Sequence, residues 1–390
     1  MILSRWLLAA SLSITLTGCN TVAGLFESSE EDPLAPVELE RINETVKLRK
    51  AWSLSVGNGQ SDGFFKLTPM LNDGVLYAAS ANGEVVAVRA ESGDRLWRVE
   101  LERPISGGVG YFDNELFFGG ADGTVFSLSA EDGSPIWEAE VSGEVLAPPV
   151  ASANWVIVQT YDGKLLGFER GADAPKWTYT SDVPVLTLRG TSSPMLVNNN
   201  AIAGFADGKV VAVDVDSGNA SWEARIGVPQ GSSEIDRIVD IDGSMTQVGS
   251  ELFVASYQGR IAVLDSRTGR KAWQQNVSSV SGTQVGFGNV YVADIDGTVS
   301  AYLRSGQGLR WQNIELGYRG LSRPTPVNSF IAMVDFDGYL HVMSQVDGQL
   351  VGRERVDSSG ARADLIAQGS RLYLYTNKGQ LVAYDLEVSD

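Results

Sequence analysis

Apolar and polar residues alternate along most of the chain, in short runs separated by glycine turns. The first clear copy consists of the run 75–79, the turn Asn82-Gly83, the run 85–88, a second turn at Ser92-Gly93, and Trp97. A period of two residues is typical of strands with one buried face. Asn-Gly between two such runs favours a hairpin with a type I′ turn. Each copy therefore predicts three antiparallel strands, with room for a fourth upstream.

The same unit recurs along the whole sequence. The glycine of its first turn returns at intervals of 38 to 51 residues, at Gly83, Gly123, Gly163, Gly208, Gly259, Gly297, Gly338 and Gly379. A tryptophan lies fourteen residues after each of the first six glycines, at Trp97, Trp137, Trp177, Trp222, Trp273 and Trp311. Four-stranded units of about 40 residues predict the blades of a β-propeller. We expect the tryptophans to pack between blades.

The eighth copy is incomplete at its C-terminal end. Fourteen residues after Gly379 would be position 393, whereas the sequence given ends at Asp390. Residues 49–54, which include Trp52, resemble the strand around Trp97 but have no glycine hairpin before them. We predict that this N-terminal strand completes the last blade, which removes the unpaired edge of an open ring. The predicted fold is all-β: an eight-bladed propeller over residues 46–390, with four antiparallel strands per blade.

The first residues have the features of a signal peptide. Arg5 precedes a largely apolar stretch, Trp6 to Leu16, whose eleven residues are too few to span a hydrocarbon core of about 30 Å. The stretch ends in Leu16-Thr17-Gly18-Cys19, which resembles the bacterial lipoprotein motif Leu-x-Gly-Cys. An ordinary secretory signal followed by a chance cysteine is the alternative.

The lipoprotein resemblance implies a membrane anchor. Residues 1–18 would be removed and Cys19 would carry the acyl chains. Asn20 stands where an aspartate commonly retains lipoproteins at the inner membrane, so the resemblance implies the outer membrane, on its periplasmic side. Acidic residues and prolines follow, and such a composition cannot bury enough apolar surface to fold alone. Residues 19–45 are therefore predicted to be a lipidated, flexible acidic tether, with a short helix possible from Glu38 to Leu48.

Composition excludes several function classes. The chain has 30 Lys and Arg against 48 Asp and Glu, a net charge of −18, which disfavours nucleic acid as a partner. It has a single cysteine and a single histidine, His341, which excludes an intrachain disulfide, a cysteine-cluster zinc site and a multi-histidine metal site. These counts remove most hydrolytic and metal-dependent chemistry.

Two local patterns imitate catalytic or metal-binding motifs. Residues 59–63 match G-x-S-x-G, but this polar connection lacks the strand and helix that flank a nucleophilic serine. Asp-x-Asp-Gly occurs at 240–243, 294–297 and 335–338, without the longer acidic register and terminal glutamate of an EF-hand. The last two coincide with the repeat turn, and we interpret them as turn sequences.

The repeat resembles the propeller repeat of PQQ-dependent enzymes, which two families share. Quinoprotein alcohol dehydrogenases combine it with calcium, a quinone and an adjacent cysteine pair, which a single cysteine cannot supply. The BamB family of outer-membrane assembly factors combines it with a lipoprotein motif, an acidic tether and N-terminal closure. That resemblance covers the whole chain.

The BamB resemblance implies a non-enzymatic scaffold in the β-barrel assembly (BAM) complex, with no catalytic residue, no metal and no cofactor. Such a subunit binds the periplasmic POTRA domains of BamA and assists the insertion of β-barrel proteins. Unfolded outer-membrane protein precursors remain open as further partners. The alternatives are a truncated quinoprotein-like dehydrogenase, and a periplasmic propeller that binds another peptide or a sugar in its channel.

Two segments carry the resemblance at the level of single residues. The family's BamA-contact positions fall on Leu186, Leu188 and Arg189 in the first segment and on Asp240 and Asp242 in the second. Both segments lie in long Trp-to-Gly intervals, of 31 and 37 residues, and insertions in a repeat array map to loops that often form a binding face. In the alternative, the leucines belong to an inner strand facing a core. Arg189 could also pair with either aspartate inside the protein.

Overall fold

A computed structural model describes residues 32–60 and 65–389, and all regular secondary structure in these ranges is β-strand. The signal segment 1–18, Cys19 and most of the acidic tether lie outside the described residues, as do Ser61 and Gly63 of the serine motif. No helix in the described ranges is long and apolar enough to cross a membrane. The chain divides into two units, Met1–Ala35 and Pro36–Asp390.

The first unit is described only over residues 32–35. Asp32 forms a turn there: its backbone carbonyl accepts a hydrogen bond from Ala35 N at 2.8 Å, and its carboxylate accepts one from Leu34 N at 3.0 Å.

The second unit contains thirty-two strands in eight four-stranded antiparallel sheets, which form the blades of an eight-bladed propeller. Blade 1 is β2 Met70–Asn72, β3 Val75–Ala79, β4 Glu84–Arg89 and β5 Arg95–Glu100. Blade 2 is β6 Gly107–Phe112, β7 Glu115–Gly119, β8 Thr124–Ser129 and β9 Pro135–Glu140. Blade 3 is β10 Val150–Ala151, β11 Trp155–Thr160, β12 Lys164–Glu169 and β13 Trp177–Thr180. Blade 4 is β14 Met195–Val197, β15 Asn200–Gly204, β16 Lys209–Asp214 and β17 Ala220–Arg225.

The other four blades repeat this order. Blade 5 is β18 Thr246–Val248, β19 Glu251–Ala255, β20 Arg260–Asp265 and β21 Lys271–Asn276. Blade 6 is β22 Thr283–Gly286, β23 Asn289–Ala293, β24 Val299–Leu303 and β25 Leu309–Asn313. Blade 7 is β26 Thr325–Val327, β27 Phe330–Val334, β28 Tyr339–Ser344 and β29 Leu350–Arg355. Blade 8 is β30 Ile366–Gln368, β31 Arg371–Tyr375, β32 Gln380–Val388 and β1 Val46–Ser55.

The N-terminal strand closes the ring, as the sequence predicted. The strand order of blade 8 is β1-β32-β31-β30, so β1 takes the outermost place that β5 takes in blade 1. Its register with β32 runs from Val46 opposite Val388 to Ser55 opposite Gln380. The first and last strands of the propeller are therefore hydrogen-bonded to each other, and the ring has no open seam.

The predicted turn type is wrong for the glycine that marks each repeat. In the turn after β3, Gly83 N donates to Ser80 O at 2.9 Å, and only the glycine has positive φ, +94°. That combination is a type I turn followed by a left-handed residue, a common hairpin connection. The type I′ geometry occurs one turn earlier, where Asp73 and Gly74 join β2 to β3 with φ of 46° and 77°.

The tryptophans pack between blades, as predicted, and each one binds the next blade in the same way. The indole N–H donates to a backbone carbonyl of the following blade at 2.6 to 3.2 Å; the pairs are Trp52–Ala90, Trp97–Ala130, Trp137–Ala172, Trp177–Val215, Trp222–Ser266, Trp273–Arg304 and Trp311–Gln345. In most junctions the ring also lies against the second-turn glycine of that blade. A Cβ on Gly269 would lie 2.5 Å from the Trp222 ring, and one on Gly348 would lie 2.4 Å from Trp311.

One junction, between blades 7 and 8, uses a different contact. Gly352 takes the tryptophan position of blade 7, and a Cβ there would lie 2.7 Å from the backbone oxygen of Val46. Thr45 N donates to Val351 O, and Ser389 N donates to Thr45 O, both at 2.9 Å. The start of the closing strand therefore occupies the space that an indole fills elsewhere.

The compact unit begins at Pro36, ten residues before the predicted start of the propeller at 46. Residues 36–45, here called the strap, contain no helix, so the helix considered from Glu38 is absent. Leu39 and Ile42 pack against a buried apolar cluster of blades 6 and 7 that includes Trp311. These two apolar side chains place this part of the predicted tether against the propeller surface.

We predict that the second-turn glycines are required by packing as well as by backbone conformation. Gly269→Ala should lower the free energy of unfolding by about 2–4 kcal/mol, because a left-handed alanine costs about 1 kcal/mol and overpacking against Trp222 adds about 1–3. Gly249→Ala, in the same blade, is the control: its φ is also positive, +62°, but nothing lies within 4 Å of the added Cβ. Urea unfolding of both variants measures the difference. Equal losses would contradict the packing role.

Candidate partner-binding site

The long connections between blades lie at one end of the ring. Strands in a blade alternate in direction, so the connection from each outer strand to the next blade meets the turns between second and third strands. Close backbone approaches show this: a Cβ on Gly208 would lie 2.7 Å from Gly227 O, and one on Gly83 would lie 2.4 Å from Leu101 O. We call this end the connecting rim. It carries both segments that the sequence singled out.

The first segment connects β13 to β14 and presents apolar side chains to solvent. Val185 is 84% exposed and Leu186 is 43% exposed, whereas Leu188 is half-buried. The alternative that these leucines form an inner strand is therefore wrong for Leu186, which lies in a connection. Exposed aliphatic side chains on a loop are a feature of partner-binding surfaces.

Arg189 follows the leucines and is exposed. Its guanidinium forms an ion pair of 2.7 Å with Glu144, from the connection between blades 2 and 3, and lies 5.9 Å from the centre of the Tyr161 ring. Tyr161 in turn shares a hydrogen bond of 2.8 Å with Thr187. These contacts position the arginine beside the leucines.

Asp240 holds the first segment from the neighbouring connection. Its Oδ2 accepts a hydrogen bond from Leu188 N at 2.6 Å, and the residue is 1% exposed. Burial raises the pKa of Asp240 to about 7, although the Leu188 N–H opposes the shift. The structure therefore brings together two residues that are 52 positions apart in the sequence, and gives Asp240 a positioning role behind the surface.

Asp242 lies beside the same loop. A Cβ on Gly190 would be 2.9 Å from the Asp242 carboxyl carbon, so the glycine is needed for the two connections to touch. Burial raises the pKa of Asp242 well above its usual value; Asp240 adds to the shift and Lys66 opposes it. The two carboxyls therefore do not present a pair of exposed negative charges around the leucines, as the sequence suggested.

The site borders a cavity of about 440 Å³ at the connecting rim. Leu188, Arg189 and Asp242 form part of its wall. Most other lining side chains are apolar. They include Phe65, Leu146, Val280 and Leu321 from the remaining connections and Ile295 from the turn between β23 and β24. This size and lining fit a small ligand or one inserted side chain.

A polar network, which the sequence did not reveal, joins several connections near this cavity. Asp364 forms ion pairs with Lys66 at 2.7 Å and with Arg323 at 3.2 Å. Ser244 Oγ donates to the same carboxylate at 2.7 Å. Burial would raise the pKa of Asp364, but Lys66 and Arg323 hold it below its usual value. Residues from four different connections meet here, so no local sequence pattern could have predicted the network.

The two Asp-x-Asp-Gly sequences at the repeat turns use their first carboxylate to bind their own backbone. Asp294 Oδ1 accepts from Asp296 N at 3.0 Å and from Thr298 N at 2.9 Å, and Asp335 Oδ1 binds Asp337 N and Tyr339 N at the same distances. Within residues 32–60 and 65–389, no three Asp, Glu, His or Cys side chains group in a way that could hold a metal ion.

Comparison with known proteins identifies the family. A family model described as outer membrane protein assembly factor BamB matches residues 81–313. The outer membrane protein assembly factor BamB of Pseudomonas aeruginosa is 45% identical over 382 residues, which cover 98% of this chain and 99% of that protein. The chain belongs to the BamB family.

Further BamB proteins agree with this assignment. BamB of Escherichia coli is 33% identical over 390 residues, covering 97% of this chain and 98% of that protein. The crystal structure of BamB from Moraxella catarrhalis has a TM-score of 0.78 at 31% identity and covers 87% of this chain and 99% of that chain. The Pseudomonas aeruginosa and Escherichia coli relatives are both named as outer membrane protein assembly factors.

Similarity to quinoprotein enzymes is limited to the fold. A europium-containing methanol dehydrogenase has a TM-score of 0.70, but its sequence identity is 13% over 87% of this chain and 93% of that chain. A propeller of this kind hosts unrelated functions, so the fold alone carries no activity. The dehydrogenase alternative is therefore not favoured, and the BamB family is.

We predict that Asp240 makes stability fall as pH rises. The folded protein keeps the Asp240 proton up to pH about 7, whereas the unfolded carboxyl loses it near pH 4. The stability that protonated Asp240 contributes is therefore lost as the pH rises through the pKa of this residue in the folded state. Asp240→Asn removes this dependence and keeps an oxygen that can accept from Leu188 N–H. The free energy of unfolding of Asp240→Asn, taken relative to wild type, should therefore be higher at pH 8 than at pH 5 by on the order of 2 kcal/mol.

The control for this experiment is Asp132→Asn. Asp132 lies in an exposed turn, where hydrogen bonds from Ser134 lower its pKa. Both its folded and unfolded pKa values then lie below pH 5, so its difference from wild type should be the same at pH 5 and pH 8. Urea unfolding at the two pH values decides. A constant difference for Asp240→Asn would contradict the role assigned to its burial.

Proposed function

We propose that this protein is a non-enzymatic scaffold of the β-barrel assembly complex that binds the periplasmic POTRA domains of BamA at the connecting rim. The binding surface is formed by Leu186, Leu188 and Arg189, and it is positioned by Asp240 and Asp242. The observation that carries the proposal is the hydrogen bond from Leu188 N to Asp240, which fixes an exposed apolar loop.

A fixed loop favours binding because little conformational freedom is lost when the partner docks. Val185 and Leu186 supply apolar contact area at the centre, and Arg189 supplies a charged group beside them. This arrangement, with apolar anchors and a polar surround, is typical of protein interfaces. Unfolded outer-membrane protein precursors are a second class of partner that the same rim could contact.

We further propose that Cys19 carries the lipid and anchors the protein to the outer membrane, on the periplasmic side. The support is the lipoprotein motif that ends at Cys19, the single cysteine of the chain. Mass spectrometry of the mature protein tests this directly. Acyl chains on an N-terminal Cys19 are expected. An unmodified N-terminus at another residue would contradict the anchor.

We predict that Leu186→Glu and Arg189→Glu weaken binding to the BamA periplasmic domains at least tenfold, which is about 1.4 kcal/mol. The experiment uses the soluble chain without Cys19, with folding of each variant checked by circular dichroism. Leu186→Glu should weaken binding because it places a charge in the apolar contact. Arg189→Glu should weaken binding because it reverses the charge beside that contact.

Ile314→Glu is the matched control. Ile314 is also an exposed aliphatic residue, 69% exposed, in the connection between blades 6 and 7. It should bind like wild type. Equal weakening by all three variants would show a non-specific effect of acidic substitutions, and unchanged binding by Leu186→Glu and Arg189→Glu would place the interface elsewhere. If wild type does not bind, the rim cavity becomes the candidate site for a peptide or sugar.

A further inference from the structure

The strap is held on blade 7 by two arginines that reach its backbone. Arg319 Nη1 donates to Val37 O at 3.0 Å, and Arg353 Nη1 donates to Glu40 O at 2.7 Å. Val37 N also donates to Gly317 O at 3.0 Å. Backbone carbonyls accept these bonds, so the contacts do not depend on which side chains the strap carries.

Both arginines contact one cluster whose centre is His341; Arg319 is buried and Arg353 is half-buried. The histidine is completely buried, and its Nε2 lies 2.9 Å from Asp335 Oδ2. The same carboxylate oxygen accepts from Arg319 Nε at 2.6 Å. On the other side of the ring, Arg353 Nε lies 3.3 Å from His341 Nδ1.

This geometry determines the tautomer of His341. A guanidinium is always a donor, so Nδ1 must be the unprotonated acceptor of the Arg353 N–H. The proton then sits on Nε2, which donates to Asp335. The cluster is fully hydrogen-bonded only while His341 is neutral.

A second proton on His341 would have no acceptor. It would bind to Nδ1, which faces the Arg353 guanidinium at 3.3 Å, and would place two cations in direct contact inside the protein. Asp335 faces the ring as the compensating anion. The other charged or titratable groups around it are Arg319, Tyr339 and, through the arginines, Asp337 and Glu315.

We propose that protonation of His341 expels Arg353 and releases the strap from blade 7. Arg353 is the mobile partner, because Arg319 keeps its ion pairs with Asp335 and Asp337. Once Arg353 leaves, its bond to the Glu40 carbonyl is lost as well. The contacts of Val37, Leu39 and Ile42 remain, and for release they must be too weak to hold the strap by themselves. Thr45 remains paired with Val351 and Ser389, so the closing strand β1 stays in place.

The direction of the pH dependence follows from the environment of the imidazole. Burial lowers the pKa of His341; Asp335 opposes this, and Arg353 and Arg319 add to it. The unfolded histidine has a pKa of about 6.5. The strap contact is therefore complete above pH 6.5 and is lost as the pH falls through the lower pKa of the folded state.

Release would change how far the propeller can reach from its anchor. Nine extended residues span at most about 30–32 Å, so freeing 36–44 lengthens the tether by no more than that amount. This consequence rests on the proposed lipid anchor at Cys19. The release itself does not, and it is testable on the soluble protein without membrane or BamA.

The first experiment measures protonation and strap position separately. The chain contains one histidine, so an untagged sample gives a single imidazole titration by NMR. Removal of Cys19 leaves no cysteine, so spin labels can be placed at Glu38→Cys on the strap and Gln312→Cys on β25. Double electron–electron resonance from pH 8 to pH 4.5 should show one short distance between the labels, which lengthens by roughly 10 Å or more on release. The midpoint pH of this lengthening should equal the midpoint of the His341 titration measured by NMR.

Three variants distinguish the proposal from general acid loosening. His341→Gln keeps a donor for Asp335 and an acceptor for Arg353 but cannot take a proton, so its strap should stay bound throughout. Arg353→Ala should release the strap at every pH. Arg355 lies in the same strand, and its guanidinium lies over the Tyr339 ring. Arg355→Ala should therefore behave as wild type.

Several outcomes would overturn the proposal: a histidine that does not titrate above pH 4.5, a distance that stays short through the titration, or lengthening that persists in His341→Gln. If His341→Gln fails to fold, the comparison of Arg353→Ala with Arg355→Ala decides. A short distance in Arg353→Ala, or release in Arg355→Ala, overturns it. BamA binding takes no part in this test, so its failure would leave the proposed function unaffected.

Discussion

The contact between a tryptophan of one blade and a glycine of the next is the interaction on which this structure depends. Each indole donates to a neighbouring backbone carbonyl, and in most junctions its ring occupies the space where the glycine has no side chain. A blade cannot bury its own faces, so stability comes from stacking these contacts around the ring. The final junction lacks an indole, and there β1 completes blade 8 while its first residue, Val46, packs against Gly352.

Much of the fold could be predicted because its determinants are periodic in sequence. The glycine and tryptophan spacing specified eight blades, and the strand around Trp52 specified the closure. The turn type was predicted wrongly because Asn82-Gly83 is also compatible with a type I turn that ends in a left-handed glycine. The strap was missed because Leu39 and Ile42 are too few to mark a packed segment within acidic surroundings.

The candidate site was predictable only in part. Leu186 and Arg189 lie on the surface where the family resemblance places a contact, but Asp240 and Asp242 lie behind the loop with raised pKa values. The hydrogen bond from Leu188 to Asp240 and the network around Asp364 join residues from different blades. Such contacts follow from closure of the ring, and no spacing along the chain encodes them. The rim loops therefore acquire their arrangement from the same closure that stabilises the fold.

Both the fold and the rim therefore depend on closure of the ring by β1, and thermal unfolding of N-terminal truncations tests this closure most directly. Soluble chains that begin at residues 36, 46 and 57 separate the strap from the closing strand. The first two should melt in one cooperative transition at similar temperatures. The third, which lacks β1 and Trp52, should lose cooperativity or melt roughly 10 °C lower or more. A chain from residue 57 that melts cooperatively at the temperature of the chain from residue 46 would contradict the account.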